Sequence, residues 1–281
     1  MDDIHTSFDY GYDPGVVETC PIVVPQPPGR LPARAAVDPA FLSPVGTQLT
    51  PSSFAWAAIY GLATHRAARA AGRVPSDPAL QAGPHYPYVK ILEQKGRRPG
   101  AGDGGLISWG FDFLLAHDGA PSLEQAPAPV PKPGHSPCQA AWRAYGGAQL
   151  VSDYAFCITG CGQVGIIGPA GLNALRGLIA AGVPLAYGTS LYTDFPSYGR
   201  VGPVAVPYTG NGRILTRADG RRAGHCLLIV GYDDGLGAVL LRNSFGPGWG
   251  IGWGGSGGHM WMAYRTFQAL AQGSAFFIDQ T

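Results

Sequence analysis

The chain has 281 residues, and its 19 Lys and Arg against 18 Asp and Glu leave it close to charge balance. No run of Lys or Arg exceeds a pair, so neither nucleic acid nor an acidic membrane surface is indicated as a partner. No apolar run approaches a bilayer span and residues 1–20 lack a basic-then-apolar signal pattern, so the expectation is a soluble protein, cytoplasmic or exported with its signal removed. The 43 Gly and 26 Pro imply turns and long ordered loops rather than a helical bundle, and the length admits one large domain or two modest lobes.

Residues 1–30 are aromatic at the start and then rich in Pro, which predicts an extended arm or short pro-segment. Residues 31–48 read as an extended entry to the domain and end on Gln48. The stretch 49–71 holds the clearest helix. Ser52 or Ser53 would cap it after Pro51, and Ala55, Trp56, Ala57, Ala58, Tyr60, Leu62 and Ala63 are apolar on nearly every side, so the helix is expected to be buried. Helices follow near Tyr86–Lys95 and Leu106–His117, the second offering Ile107, Phe111, Phe113, Leu114 and Leu115 to the core. Between them lies the Gly104-Gly105 turn. A Pro-rich connector spans 126–138. Beyond it the pattern predicts a strand over 149–156, a helix over 172–181, and a strand over 183–189. An aromatic loop fills 190–223, and apolar strands close the chain around Met260–Tyr264 and Ala275–Ile278.

Five cysteines stand at 20, 138, 157, 161 and 226. Cys157 and Cys161 straddle Gly160 and could pair across a tight loop. His135, Cys138, Cys157 and Cys161 could instead supply four zinc ligands, but the C-x3-C spacing is loose and the His lies in a Pro-rich loop. The expectation is no metal and no cofactor.

The stretch 222–253 carries the chemistry. Leu227–Gly231 reads as a buried strand, Asp234-Gly235 as a hairpin turn and Ala238–Leu241 as the return strand. A hairpin would return Asn243 toward His225. A side-chain amide beside an imidazole suits a general base: its oxygen would accept the Nδ1 proton and leave Nε2 facing a nucleophile. The Gly-rich loop after Asn243 brings Trp249, whose indole would shield that hydrogen bond from water. Cys226 neighbours His225 but points to the other strand face, which marks it as a buried core thiol. A bland reading stays open, with His225 a core histidine and Asn243 a turn residue.

Gly224-His225, Val230-Gly231-Tyr232 and Asn243-Ser244-Phe245-Gly246-Pro247-Gly248-Trp249-Gly250 resemble the His and Asn regions of the papain-like cysteine peptidases, with Phe245 departing from the usual Trp. The stretch Ser52-Ser53-Phe54-Ala55-Trp56-Ala57 after Gln48 resembles that family's nucleophile helix, one residue shorter in its loop and with Ser53 where Cys is expected. The resemblance covers roughly residues 31–280. It implies an α+β, papain-like two-lobe fold: a helical lobe (about 49–125) with a central buried helix, a β-rich, barrel-like lobe (about 139–281), and the active-site cleft between them. It also implies a peptide or protein substrate, Ser53, His225, Asn243 and Gln48 as the catalytic set, and Gly104 and Gly105 as the backbone that pairs with bound peptide.

The Ser at position 53 admits several readings. It is a disabling Cys-to-Ser change, a natural Ser–His–Asn hydrolase as in the silicatein branch, a peptide ligase or cyclase, or a silent peptide-binding module. A Ser–His–Asp esterase using Asp233 or Asp234 is a weaker option.

Overall fold

The computed structural model describes residues 10–18, 20–22, 29–100, 104–150, 154–199 and 206–279. Strand β1 (Arg34–Ala36) leads to α1, one continuous helix built of Ser53–Ala55, a wider π-helical stretch Trp56–Ala63, and Thr64–Ala71. Helices α2 (His85–Gln94), α3 (Ile107–Ala116) and α4 (Pro137–Tyr145) complete the helical side. After β2 (Cys161–Gly165) come α5 (Gly168–Ala180), β3 (Leu185–Ser190), β4 (Gly224–Asp233), β5 (Ala238–Arg242), β6 (Ile251–Trp253), β7 (Ser256–Ala263), α6 (Tyr264–Leu270) and β8 (Ala271–Ile278).

Every residue of α1 from Ser53 to His65 is buried, as a helix apolar on all sides requires. Its close approach to the sheet depends on Gly61, where a Cβ would stand 2.5 Å from Leu228 Cδ1. The helix stops at Gly72, left-handed at φ 61°, whose N–H bonds back to the Ala68 and Arg69 carbonyls.

The strands form one antiparallel sheet in the order β2-β8-β3-β4-β5-β7-β6, with β1 added on β4. It is open: among the described residues β2 and β6 end the order without pairing to each other. The barrel-like closure expected for this lobe is therefore corrected. Strand β4 lies at its centre, bonded to β1, β3 and β5, and all but its last residue are buried.

Other expectations need adjustment. The strand predicted over 149–156 is absent among its described residues, where Ala155 makes a single bridge to Ala120; residues 151–153 lie outside the described set. Leu115 is 44 % exposed rather than core. Helices α4 and α6 were not foreseen.

Candidate active site

Ser53 opens α1, His225 is the second residue of β4, and Asn243 follows β5. The β4–β5 hairpin brings the last two together. His225 Nε2 lies 2.7 Å from Asn243 Oδ1. That oxygen also accepts the Ser244 N–H at 2.8 Å, which fixes the amide's orientation and so puts the ring proton on Nε2. The nitrogens are thus used the opposite way to the sequence expectation. Nε2 is bound to the amide, and Nδ1 is the nitrogen left to act as a base.

The aromatic shield is also a different residue. Phe245 stacks on the imidazole, centroids 4.8 Å apart and planes at 32°, while Trp249 packs behind it against Phe245 and Phe195 and donates to the Pro196 carbonyl at 3.1 Å. Asn243 Nδ2 is buried without a hydrogen-bond partner among the described residues.

Gln48 is fully buried and tied to the same loop. Its N–H bonds the Ser244 carbonyl at 2.8 Å, and its Oε1 accepts the Ser244 hydroxyl at 2.5 Å. This leaves Nε2 to donate to the Thr50 carbonyl at 3.1 Å and to the Tyr10 carbonyl at 3.2 Å. The Tyr10 oxygen also lies 3.4 Å from His225 Nδ1.

Ser53 is fully buried, and its Oγ accepts the Cys226 backbone N–H at 3.1 Å. Among the described residues it makes no hydrogen bond to His225. The Cys226 thiol is buried, and burial pushes its pKa well up, so it stays protonated.

The chain's own N-terminal segment crosses this site. Tyr12 pairs antiparallel with Gly224 and parallel with Gly105. The bonds run from Tyr12 N to the Gly224 carbonyl (3.3 Å), from Gly105 N to the Gly11 carbonyl (3.1 Å), and from Asp13 N to the Gly105 carbonyl (3.3 Å). Glycines make the groove narrow enough for this. A Cβ at Gly188 would stand 2.0 Å from the Tyr12 ring, one at Gly224 2.5 Å from the Tyr12 carbonyl, and one at Gly104 2.8 Å from Gly11. Past Asp13, Glu18 is buried and accepts the Tyr12 hydroxyl at 3.0 Å and the Ser108 N–H at 2.7 Å. Gly105 pairs its backbone with residues 11–13, while Gly104 allows their close approach. The sequence left open whether residues 1–30 form a strap over the domain and cover the cleft.

The alternatives are not assembled. Asp234 bonds Arg176 and the Tyr264 hydroxyl, and Asp233 accepts the Leu236 N–H in its own turn. Cys157 donates to the Asp118 carbonyl, while Cys161 faces Cys20 at 3.7 Å, so the neighbour of Cys161 is Cys20 and not Cys157. His135 meets Arg143, and among the described residues no group of three His, Cys, Asp or Glu could hold a metal ion. Nor is any helix among them long and apolar enough to cross a membrane.

The overall fold is similar to that of several solved structures. Xylellain, a cysteine protease from Xylella fastidiosa, superposes at a TM-score of 0.68 over 98 % of this chain and 97 % of its own, at 21 % identity. The fold is papain-like. Digestive procathepsin L 3 from Tenebrio molitor larval midgut matches at a TM-score of 0.64 and 18 % identity, covering 96 % of this chain and 76 % of that one. Procathepsin B S9 from Trypanosoma congolense matches at 0.62 and 13 %, covering 95 % and 87 %. No protein-family model matches the sequence, and no curated protein sequence does.

Proposed function

We propose that this chain is a peptidase-type papain-like protein that binds an extended peptide main chain along Gly105 and Gly224, with the acyl-transfer step disabled or weakened by Ser53. One observation carries the reading: a peptide carbonyl, that of Tyr10, accepts a hydrogen bond from the Gln48 amide at 3.2 Å, the donor placed to meet a developing oxyanion.

In that role the side chain at 53 attacks a peptide carbonyl carbon and its proton passes to His225 Nδ1, while Asn243 Oδ1 holds the imidazole through Nε2. The charge developing on the carbonyl oxygen is met by Gln48 Nε2 and by the backbone N–H of residue 53, in the first helical turn where N–H groups lack intrahelical acceptors. The proton then returns to the leaving amine, and water or an amine resolves the acyl intermediate. A thiol at this helix terminus would ionise readily. A serine hydroxyl does not ionise at neutral pH, so His225 must remove its proton during attack, and the Ser53 oxygen is instead engaged by the Cys226 N–H.

That last bond favours a second reading, a silent peptide-binding module in the same groove. Labelling with a peptidyl epoxide, followed by intact mass, separates the two. The parent, Ser53→Cys, and Ser53→Cys combined with Gly11→Ala (to loosen the N-terminal segment) are compared. One adduct and peptide cleavage in the Cys forms alone support a peptidase scaffold silenced at position 53. Peptide binding without labelling or cleavage in any form supports the binding module.

A further inference from the structure

Behind the hairpin lies a second site built around a cation. Arg242, the last residue of β5, is only 6 % exposed, and it pairs across the sheet with His259 of β7, which is 2 % exposed. Directly opposed residues on antiparallel strands project to the same face. Among the described residues no carboxylate contacts the guanidinium; its hydrogen bonds go from Nη2 to the Ser43 carbonyl and, at 3.3 Å, to the Ser43 hydroxyl. Burial pulls the Arg242 pKa down to about 10, so it stays charged at neutral pH, partly offset by Tyr60. A buried, uncompensated charge is costly unless a counter-charge completes it.

His259 is buried beside it and is neutral at pH 7, because burial lowers its pKa to about 4. Among the described residues neither ring nitrogen makes a hydrogen bond of good geometry, although the Ser256 and Gly257 backbone lies against the ring, and the Trp253 indole stands 5.2 Å away. Both side chains line a pocket of about 410 Å³. The rest of its wall is mostly apolar, with Leu42, Pro44, Val45, Pro75 and Trp253 the main surfaces.

We propose that this pocket binds a small organic carboxylate, its carboxylate group held by Arg242 and His259 and its apolar body lying against Leu42, Val45 and Trp253. The guanidinium fork matches a carboxylate in shape and charge. A single guanidinium and a mostly apolar wall suit a monoanion with a hydrocarbon body better than a free phosphate, which needs more donors than this wall offers. The site is separate from the cleft, since none of its lining residues belongs to the Ser53, His225, Asn243 and Gln48 set.

Thermal unfolding of the full chain at fixed ionic strength tests the proposal, with phenylacetate, neutral phenylacetamide and inorganic phosphate each as probe. Phenylacetate is expected to raise Tm by several degrees, saturably, while phenylacetamide and phosphate leave it unmoved. Arg242→Met is expected to melt no lower than the parent in probe-free buffer and to lose the response. Val45→Trp fills the pocket while keeping Arg242, and is expected to lose the response as well. The proposal is overturned by equal shifts with phenylacetate and phenylacetamide, by a shift that survives Val45→Trp, or by no shift in the parent. A response to phosphate alone would make it an inorganic-anion site instead.

Discussion

The carbonyl oxygen of Tyr10 accepts a hydrogen bond from Gln48 Nε2 at 3.2 Å, so the side chain read as an oxyanion donor is already engaged by the chain's own backbone. The N-terminal segment reaches this point only because Gly11 is there. Its φ is +95°, and a Cβ would stand 2.3 Å from the Pro51 carbonyl carbon and 2.6 Å from Ser52 N, both backbone atoms that cannot yield easily.

Gly11→Ala is therefore expected to unseat residues 10–18 without unfolding the domain. Forced left-handed backbone alone costs about 1–2 kcal/mol, and the clash adds to it. At roughly 2 kcal/mol the open state gains about 30-fold. Hydrogen exchange at the amides of Tyr12 and Asp13 reads this directly. Unchanged protection there would show that the segment does not depend on the seat seen between Gly105 and Gly224.

Asn243 serves two buried donors at once, His225 Nε2 at 2.7 Å and Ser244 N at 2.8 Å. Asn243→Ala strands both, and each stranded buried donor costs about 1–3 kcal/mol. Urea unfolding should show a loss near the upper end of that range, with an unchanged m-value. A loss below about 0.5 kcal/mol would mean that water reaches the pair and that Phe245 shields nothing.

The hairpin bearing His225 and Asn243 was legible in the sequence because its signals are local: a continuous apolar strand, an Asp-Gly turn and a short apolar return strand. The buried helix from Ser53 was legible for the same reason. What was hidden depends on non-local contacts. The groove for residues 10–18 also needs Gly188 and Gly224, which look like ordinary strand glycines until the segments meet; Gly104 and Gly105 stood out only through the family resemblance. The orientation of the His225 ring is likewise set by Ser244 N fixing the Asn243 amide, which no spacing reveals. Helix α4 did carry a readable sign: Ser136 and Gln139 form a reciprocal capping box after a Pro-rich run. The Pro residues drew the reading toward a connector instead.

Cys20 and Cys161 offer a direct check on the path of the N-terminal arm. Cys20 N donates to Gln163 Oε1 at 3.3 Å, and Gln163 N donates to the Pro21 carbonyl at 2.9 Å, which sets the arm beside β2. Their sulfurs lie 3.7 Å apart, and the Cys20 side-chain hydrogen bond pulls the Cys161 thiol pKa down. Diamide, which takes up the two electrons and two protons that the thiols release, is expected to lower the mass by 2 Da through one bridge. Peptide mapping should join residues 20 and 161 and leave buried Cys226 reduced. A bridge between Cys157 and Cys161 instead would contradict the arm's position.

Acid should weaken the fold before its carboxylates titrate. His65 and His259 are 1 % and 2 % exposed. Burial first, then nearby Arg charge, lowers both to about 4, against Asp38 at His65 and the Ser256 and Gly257 backbone at His259. In the unfolded chain they titrate near 6.5. Between about pH 6.5 and 4 the unfolded state therefore holds more protons than the folded one. Unfolding takes up protons there, and stability falls as pH drops, by on the order of 3 kcal/mol for each histidine across the window. Glu18 opposes this, because burial raises its carboxyl and so favours its neutral form. Burial lowers His85 to about 4 as well, so urea unfolding at pH 7 and 4.5 should show the net loss, and His65→Gln should remove about a third of the histidine contribution. An equal loss in parent and variant would mean that His65 is hydrated or paired in solution, and the buried environment assigned to it on α1 would have to be given up.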